Sequence, residues 1–105
     1  MTKYKIIVSP SAKAQIKGIT AHIRDKLFNP QAAKAIALAI KSAIASLATM
    51  PERTTEVSSV GLRRMVVRNY LIYYQIDEAA RQVFIHAVIY GKRDQESQID
   101  DILQN

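Results

Sequence analysis

The sequence predicts an α+β fold in which a twisted antiparallel sheet packs on an N-terminal helical hairpin, in the order β-α-α-β-β-β. A short β-rich run opens the chain, helical periodicity continues from there to about residue 50, and three β-rich runs fill residues 62–90. A chain of 105 residues fits one domain, which we predict to span residues 1–105. Because both helices come early, we expect them on one face of the sheet and the other face to be open.

The first strand and helix are marked by composition. Tyr4–Val8 is rich in β-forming residues and ends at Ser9-Pro10. Ser9 or Ser11 can cap a following helix, and Pro10 suits its first turn. Helical spacing then predicts an apolar stripe consisting of Ala12, Ile16, Ile19, Ile23 and Leu27.

A second helix is predicted from Pro30 to about Met50, because the residue before a proline avoids the α region and proline fits a first helical turn. Leu38 lies opposite its apolar stripe, where a monomer favours a polar side chain. Leu38 is either an isolated exposed leucine or a candidate partner-binding residue. The stripe itself consists of Ile36, Ile40, Ala43, Ile44 and Leu47.

The second half of the chain predicts a three-stranded meander. A polar loop over residues 51–61, long enough to be mobile or functional, precedes it. Short connections join the runs Leu62–Val67, Tyr70–Ile76 and Gln82–Tyr90 as antiparallel hairpins. Residues 94–103 fit either a short C-terminal helix or a frayed end. In the second of these runs, side chains alternate between the two faces of the sheet. One face receives Tyr70, Ile72, Tyr74 and Ile76, and the other receives Leu71, Tyr73 and Gln75.

The composition excludes several classes of protein. The chain has no cysteine, and neither of its two histidines has a carboxylate placed beside it by a motif, so we predict no disulfide and no metal site. No P-loop, GxGxxG or GxSxG sequence occurs, and we predict no cofactor. Since no signal-peptide core or membrane-spanning stretch is present, we expect a cytoplasmic protein.

The charge favours an anionic partner. Fifteen Lys and Arg against nine Asp and Glu give a net charge of +6, which attracts nucleic acid, ribosomes or an acidic protein. Cations and aromatic rings on the meander suit a phosphate backbone and unstacked bases. The chemistry open to them is metal-free RNA cleavage, in which the 2′-hydroxyl attacks the adjacent phosphate with help from a base, an acid and fixed cations.

Eight residues are candidates for this site. The tyrosines also have a structural alternative, since core packing is at least as common for each, and a lone histidine on a strand is more often structural than catalytic. The candidate catalytic residues are Arg64, Tyr90, Arg93 and His86, and the candidate RNA- or target-binding residues are Arg63, Arg68, Lys92 and Tyr73.

The run NYLIYYQIDEAARQVFIHAVIYGKRD, residues 69–94, resembles the C-terminal signature of the RelE/ParE superfamily of toxins. The opening YKIIVSPSAKAQI is similar to the first strand and helix start of that superfamily, and LATMPER to the end of its second helix. The resemblance implies the toxin of a type II toxin–antitoxin module, which a cognate antitoxin silences in a hetero-oligomeric complex.

The resemblance implies two competing activities. RelE-like members cut mRNA on the ribosome, whereas ParE-like members act on DNA gyrase and are not nucleases. Arg93 matches the arginine that RelE-like nucleases carry after the last strand, and Arg64 falls near a basic residue of their second strand. Two positions depart from that pattern. Leu71 stands where many of these nucleases carry an arginine, and Ile99 stands where some carry a catalytic tyrosine. Ribosome-dependent mRNA cleavage is the first expectation, gyrase inhibition the alternative, and a non-toxic antitoxin-binding relic the third.

Overall fold

The computed structural model describes residues 3–91 together with Ile102 and Leu103. Five strands form one sheet in the order β1-β5-β4-β3-β2. Two helices accompany the sheet, which confirms the α+β class, and neither is long and apolar enough to cross a membrane within the described residues. The elements are β1 (Lys5–Val8), α1 (Pro10–Ala21), α2 (Pro30–Ser46), β2 (Thr55–Glu56), β3 (Arg63–Val67), β4 (Tyr70–Asp77) and β5 (Gln82–Tyr90).

The pairing of β1 differs from the predicted antiparallel sheet. β3, β4 and β5 form the expected antiparallel meander, but β1 pairs with β5 in parallel, with Lys5 opposite Gln82 and Val8 opposite Ile85. The chain reverses between β2 and β3, which pair antiparallel, so β3 starts the meander in the direction of β1. Because a three-stranded meander ends in the direction in which it starts, β5 runs the same way as β1. The sheet is therefore mixed.

The first helix begins as predicted and ends differently. Ser9 caps it, since the Ser9 Oγ accepts a hydrogen bond from the Ala12 amide at 3.0 Å. After Ala21 the helix widens into a π-helical turn, His22–Lys26, in which the Leu27 amide donates to the His22 carbonyl oxygen at 3.2 Å. This turn breaks the 3.6-residue spacing, so the prediction that Leu27 continues the stripe is wrong and its side chain is 60% exposed.

The second helix buries the face that its periodicity predicts. Ile40, Ile44 and Leu47 are buried against the sheet. At its start the Asn29 Oδ1 accepts from the Ala32 amide at 3.0 Å, and the helix ends at Ser46, earlier than predicted.

The polar loop after α2 is tied to the sheet over its first half. It contains a 3₁₀ turn, Pro51–Arg53, followed by β2, which was not predicted. The Tyr74 hydroxyl donates to the Pro51 carbonyl oxygen at 2.6 Å, and the Arg63 guanidinium donates to the Glu52 carbonyl oxygen at 3.1 Å. These bonds fix the path of the chain across the end of α2.

Apolar side chains pack on both faces of the sheet. On the face toward the helices, Ile72 and Tyr74 of β4 are fully buried with Ile40 and Leu47. We call the other side the distal face. The expectation that it is open is wrong, because the chain fills part of it with a second apolar cluster: Leu62, Leu71, Tyr73, Ala87 and Ile89, with Val57 and Ile102 packed against them. The predicted C-terminal helix, residues 94–103, is described only at Ile102 and Leu103, which are helical.

Candidate functional site

Two of the predicted catalytic residues lie on opposite faces of the sheet. Arg64 pairs with Tyr73 across the β3–β4 ladder, and Tyr90 pairs with Tyr70 across the β4–β5 ladder. Tyr70 and Tyr73 are three residues apart on β4 and therefore point to opposite sides. Arg64 is on the distal face and Tyr90 on the side of the helices. The structure does not bring these two residues together.

His86 occupies a β-bulge on the distal face. The β4–β5 register shifts between Tyr73 and Tyr74, which leaves His86 without a residue opposite it. Its Nε2 lies 2.6 Å from the Gln75 Oε1, and the Gln75 amide nitrogen donates to the Val60 carbonyl oxygen at 3.0 Å. Because that second bond turns the Gln75 oxygen toward the ring, Nε2 carries the proton. His86 thus helps to hold the loop at Val60 against the sheet.

Burial sets the charge of His86. Desolvation lowers the pKa of its imidazole below the usual value, so the ring is neutral at physiological pH. One side of the ring packs on Phe84, with ring centroids 4.8 Å apart. The unprotonated Nδ1 is then an acceptor, which is the form that a general base requires.

Tyr73 is fully buried, so the prediction that its ring contacts RNA or another target is wrong for this structure. Its ring belongs to the distal apolar cluster. The Tyr73 hydroxyl is also buried, and it has no hydrogen-bond partner among the described residues. A buried hydroxyl without a partner costs about 1–3 kcal/mol.

The arginines of the second hairpin have different surroundings. Arg63 points toward the helices, where its side chain is 17% exposed and its Nη2 lies 3.5 Å from the Glu56 carboxylate. Together with its bonds to loop carbonyl oxygens, this makes Arg63 a structural tie, and its assignment to target binding stays a prediction. Arg68 is exposed in the β3–β4 turn at a φ of 55°. Lys92 and Arg93 lie outside the described residues.

A cavity of about 850 Å³, which we call the hairpin groove, opens between the helices and the sheet where β4 begins and β5 ends. The Tyr70 and Tyr90 rings form its sheet-side wall, with centroids 5.7 Å apart and planes inclined at 57°. Burial raises the pKa of Tyr70, which keeps its hydroxyl protonated. The opposite wall comes from the helices and the π-helical turn, through Gly18, Ile19, His22, Ile23, Leu27 and Ile36.

The base of the hairpin groove depends on Gln15 of α1. β1 ends before the last residues of β5, and the Gln15 Oε1 accepts a hydrogen bond from the Val88 amide at 2.8 Å. This bond satisfies a backbone donor beside the groove and fixes the distance between α1 and β5. Sequence reasoning missed Gln15. The available signal was a glutamine directly before Ile16 of the apolar stripe.

The hairpin groove has the character of a protein-binding surface. Its wall is mainly apolar, and Leu27 and Tyr90 line it with side chains that are 60% and 37% exposed. Apolar lining around a few polar groups is typical of sites that take an amphipathic helix or a small ligand. The predicted partner-binding residue Leu38 is not part of it. Leu38 is 65% exposed on α2, and its role stays a prediction.

The positive charge lies in the first half of the chain. Residues 1–51 contain eight Lys or Arg and one Asp or Glu, whereas residues 52–105 contain seven and eight. The helices and β1 therefore account for the excess, and the meander, where the RNA site was predicted, is nearly balanced. In the described residues, no group of three or more His, Asp or Glu side chains is arranged to hold a metal ion.

Comparison with known proteins identifies the family. The model of the ParE toxin of type II toxin–antitoxin systems, parDE, matches residues 6–95, and the chain belongs to this family. No curated protein sequence matches.

Two solved structures have a similar fold. One is the chromosomal ParDE toxin–antitoxin system from P. aeruginosa, at a TM-score of 0.74 and 13% identity, covering 86% of this chain and 98% of that one. The other is the RelBE2 toxin–antitoxin complex from Mycobacterium tuberculosis, at a TM-score of 0.61 and 18% identity, covering 84% and 98%.

Proposed function

We propose that this ParE-family toxin arrests growth by binding DNA gyrase and that it does not cleave RNA. The observation that carries the proposal is the separation of Arg64 and Tyr90 by the sheet. Acid–base cleavage requires the proton-transferring groups and the stabilising cation to reach one phosphate together. A phosphate that contacts Arg64 is shielded from Tyr90 by the sheet. The match to the ParE family supports the same choice.

The rival function is ribosome-dependent mRNA cleavage, the first expectation from the sequence. Its strongest form uses the distal face, where Arg64 and a neutral His86 both lie, with Arg93 supplying a second cation. Against it, the Nε2 of His86 is bonded to Gln75 and the Tyr73 hydroxyl is buried. Among the described residues of the distal face, these two groups are therefore not positioned to exchange protons with a bound RNA.

We also propose that a cognate antitoxin silences the toxin and occupies the hairpin groove. The groove's apolar wall and its exposed Leu27 suit the apolar face of an amphipathic helix. The basic first half of the chain favours an antitoxin with acidic residues beside that face. The two solved neighbours are toxin–antitoxin structures, which supports a hetero-oligomer.

One induction experiment separates the candidate functions. The toxin is expressed without its antitoxin, and plasmid supercoiling, the DNA-damage response and mRNA 5′ ends are measured in the same culture. We expect growth arrest with altered supercoiling and an induced damage response, and no new 5′ ends within translated codons. New 5′ ends at unchanged supercoiling would establish the nuclease instead, and normal growth would identify a non-toxic antitoxin-binding relic.

A matched pair of variants tests the antitoxin site. Leu27→Glu places a charge in the hairpin groove, whereas Val66→Glu places one on the distal face at a side chain of similar exposure, 66% against 60%. We expect Leu27→Glu to weaken antitoxin affinity by about tenfold or more, because a charge is costly at the centre of an apolar interface. Equal antitoxin affinity for the two variants, measured by calorimetry, would place the antitoxin elsewhere.

A further inference from the structure

We propose that Phe28, in the turn between the two helices, anchors the toxin to gyrase by inserting its ring into an apolar pocket on the surface of that enzyme. Phe28 is 86% exposed, more than any other large apolar side chain of the described residues. Beside it lies Leu27, which is 60% exposed, and we call residues 24–29 the hairpin tip. The inference rests on the proposed function, because it names the surface that binds the proposed target.

The backbone of Phe28 has a left-handed conformation, with a φ of 52°. Glycine adopts this conformation without cost and asparagine tolerates it, whereas a bulky side chain there is strained. Glycine is also the usual residue just past the end of a helical segment, which is the position that Phe28 occupies. A phenylalanine that is both strained and exposed does not stabilise the fold, and such residues are typical of binding sites.

Hydrogen bonds of the next residue hold Phe28 in this conformation. The Asn29 amide donates to the Ile23 carbonyl oxygen at 3.1 Å, back across the π-helical turn. The Asn29 side chain accepts from the Ala32 amide and so fixes the start of α2. Because its backbone is already held on both sides, the aromatic ring loses little conformational entropy when it enters a pocket. Rigid aromatic side chains of this kind carry much of the affinity in protein interfaces.

The proposed antitoxin site does not include this ring. Leu27 lines the hairpin groove, whereas Phe28 does not. Two adjacent exposed side chains therefore serve different partners, Leu27 the antitoxin and Phe28 the target. An antitoxin seated in the hairpin groove lies directly beside Phe28 and hinders the approach of a large enzyme, which gives the silencing a steric cause.

The charge of the hairpin tip favours a protein pocket over nucleic acid or a membrane. Arg24 pairs with Asp25 at 2.8 Å, so Lys26 gives the tip its net charge of +1. Binding to nucleic acid or to anionic lipid draws on several cations together. One aromatic anchor beside one cation instead suits an apolar pocket with an acidic rim. In a symmetric dimer two tips would meet, and neither could enclose the ring of the other.

The test measures how the full-length toxin inhibits supercoiling by purified gyrase when it carries Phe28→Gly or Phe28→Asn. Both replacements suit a positive φ, so they remove the ring without straining the turn. We expect the toxin concentration for half-inhibition to rise by about tenfold or more, the effect of losing an interface anchor. The melting temperature should stay the same or rise, because the strain is relieved.

Matched measurements separate this site from the others. Val66→Asn, at a side chain 66% exposed on the distal face, should change half-inhibition by about twofold at most. Antitoxin affinity of both Phe28 variants, measured by calorimetry, should also stay within about twofold, because the ring lies outside the hairpin groove.

The possible failures are distinguishable. Wild-type toxin that leaves gyrase active would overturn the proposed function and this inference with it. Gyrase inhibition that the Phe28 variants retain, or that Val66→Asn weakens equally, would overturn this inference alone. So would an equal loss of antitoxin affinity, a lower melting temperature, or binding to plasmid DNA or anionic phospholipid vesicles that Phe28→Gly abolishes.

Discussion

Tyr73 and Tyr74 are neighbours on β4 and both are fully buried, but their hydroxyls differ in hydrogen bonding. On the side of the helices, Tyr74 donates to the Pro51 carbonyl oxygen and also bonds to Thr54. On the distal face, the Tyr73 hydroxyl has no partner among the described residues. The two faces therefore differ in hydrogen bonding: the buried hydroxyl of Tyr74 is satisfied on the helix side, whereas that of Tyr73 is unsatisfied within the described residues.

The largest expected difference between the two faces concerns packing. Ile72 and Leu71 are adjacent and buried, and they point to the helix side and the distal face respectively. We expect Ile72→Ala to lower the free energy of unfolding by about 4 kcal/mol and Leu71→Ala by about 2 kcal/mol, because a thin cluster relaxes around a cavity more easily. Denaturant unfolding checks both, and a larger loss for Leu71→Ala would contradict the comparison.

The next effect concerns the hydroxyl of Tyr74. Tyr74→Phe leaves the Pro51 carbonyl oxygen without its donor, and we expect a loss of about 1–2 kcal/mol in the free energy of unfolding. Hydrogen exchange in the Pro51–Arg53 turn should accelerate in the same variant, because the loop loses its tie. Unchanged exchange there would mean that Arg63 holds the loop without help.

The distal face should also make the stability of the protein depend on pH, through His86. The pKa of His86 is lowered in the folded state by burial, so the unfolded chain binds a proton that the folded chain does not. Stability should therefore fall as the pH drops below about 6.5, the pKa of an unperturbed histidine. His86→Gln should flatten this dependence between about pH 7.5 and 5.5 in denaturant unfolding.

The smallest expected change in stability is that of Tyr73→Phe. Removing a buried hydroxyl that has no partner should leave the free energy of unfolding unchanged or raise it by up to about 1 kcal/mol. A loss as large as that of Tyr74→Phe would show that the Tyr73 hydroxyl has a partner in solution. Abolished toxicity at unchanged stability would assign that hydroxyl to the target site.

The sequence predicted the features that depend on local periodicity. The α2 stripe and the two β4 faces are correct because a helical or alternating pattern is enough to determine them. The parallel pairing of β1, the π-helical turn at His22 and the bond between Gln15 and Val88 were not predicted, because each depends on contacts between distant segments.

The candidate site shows the same limit. Charge and residue type correctly drew attention to Arg64 and Tyr90 as side chains of the meander, but only the register of β3, β4 and β5 shows that they lie on different faces. The family itself was correctly predicted, because its landmarks extend along nearly the whole chain and do not depend on which face a side chain occupies.

The proposed binding of the toxin to gyrase is tested most directly with purified toxin, purified gyrase and relaxed plasmid, alongside translating ribosomes with a defined mRNA. We expect the toxin to block supercoiling or trap gyrase on cleaved DNA while the mRNA remains intact. Undisturbed supercoiling together with mRNA cut in the ribosome would contradict it.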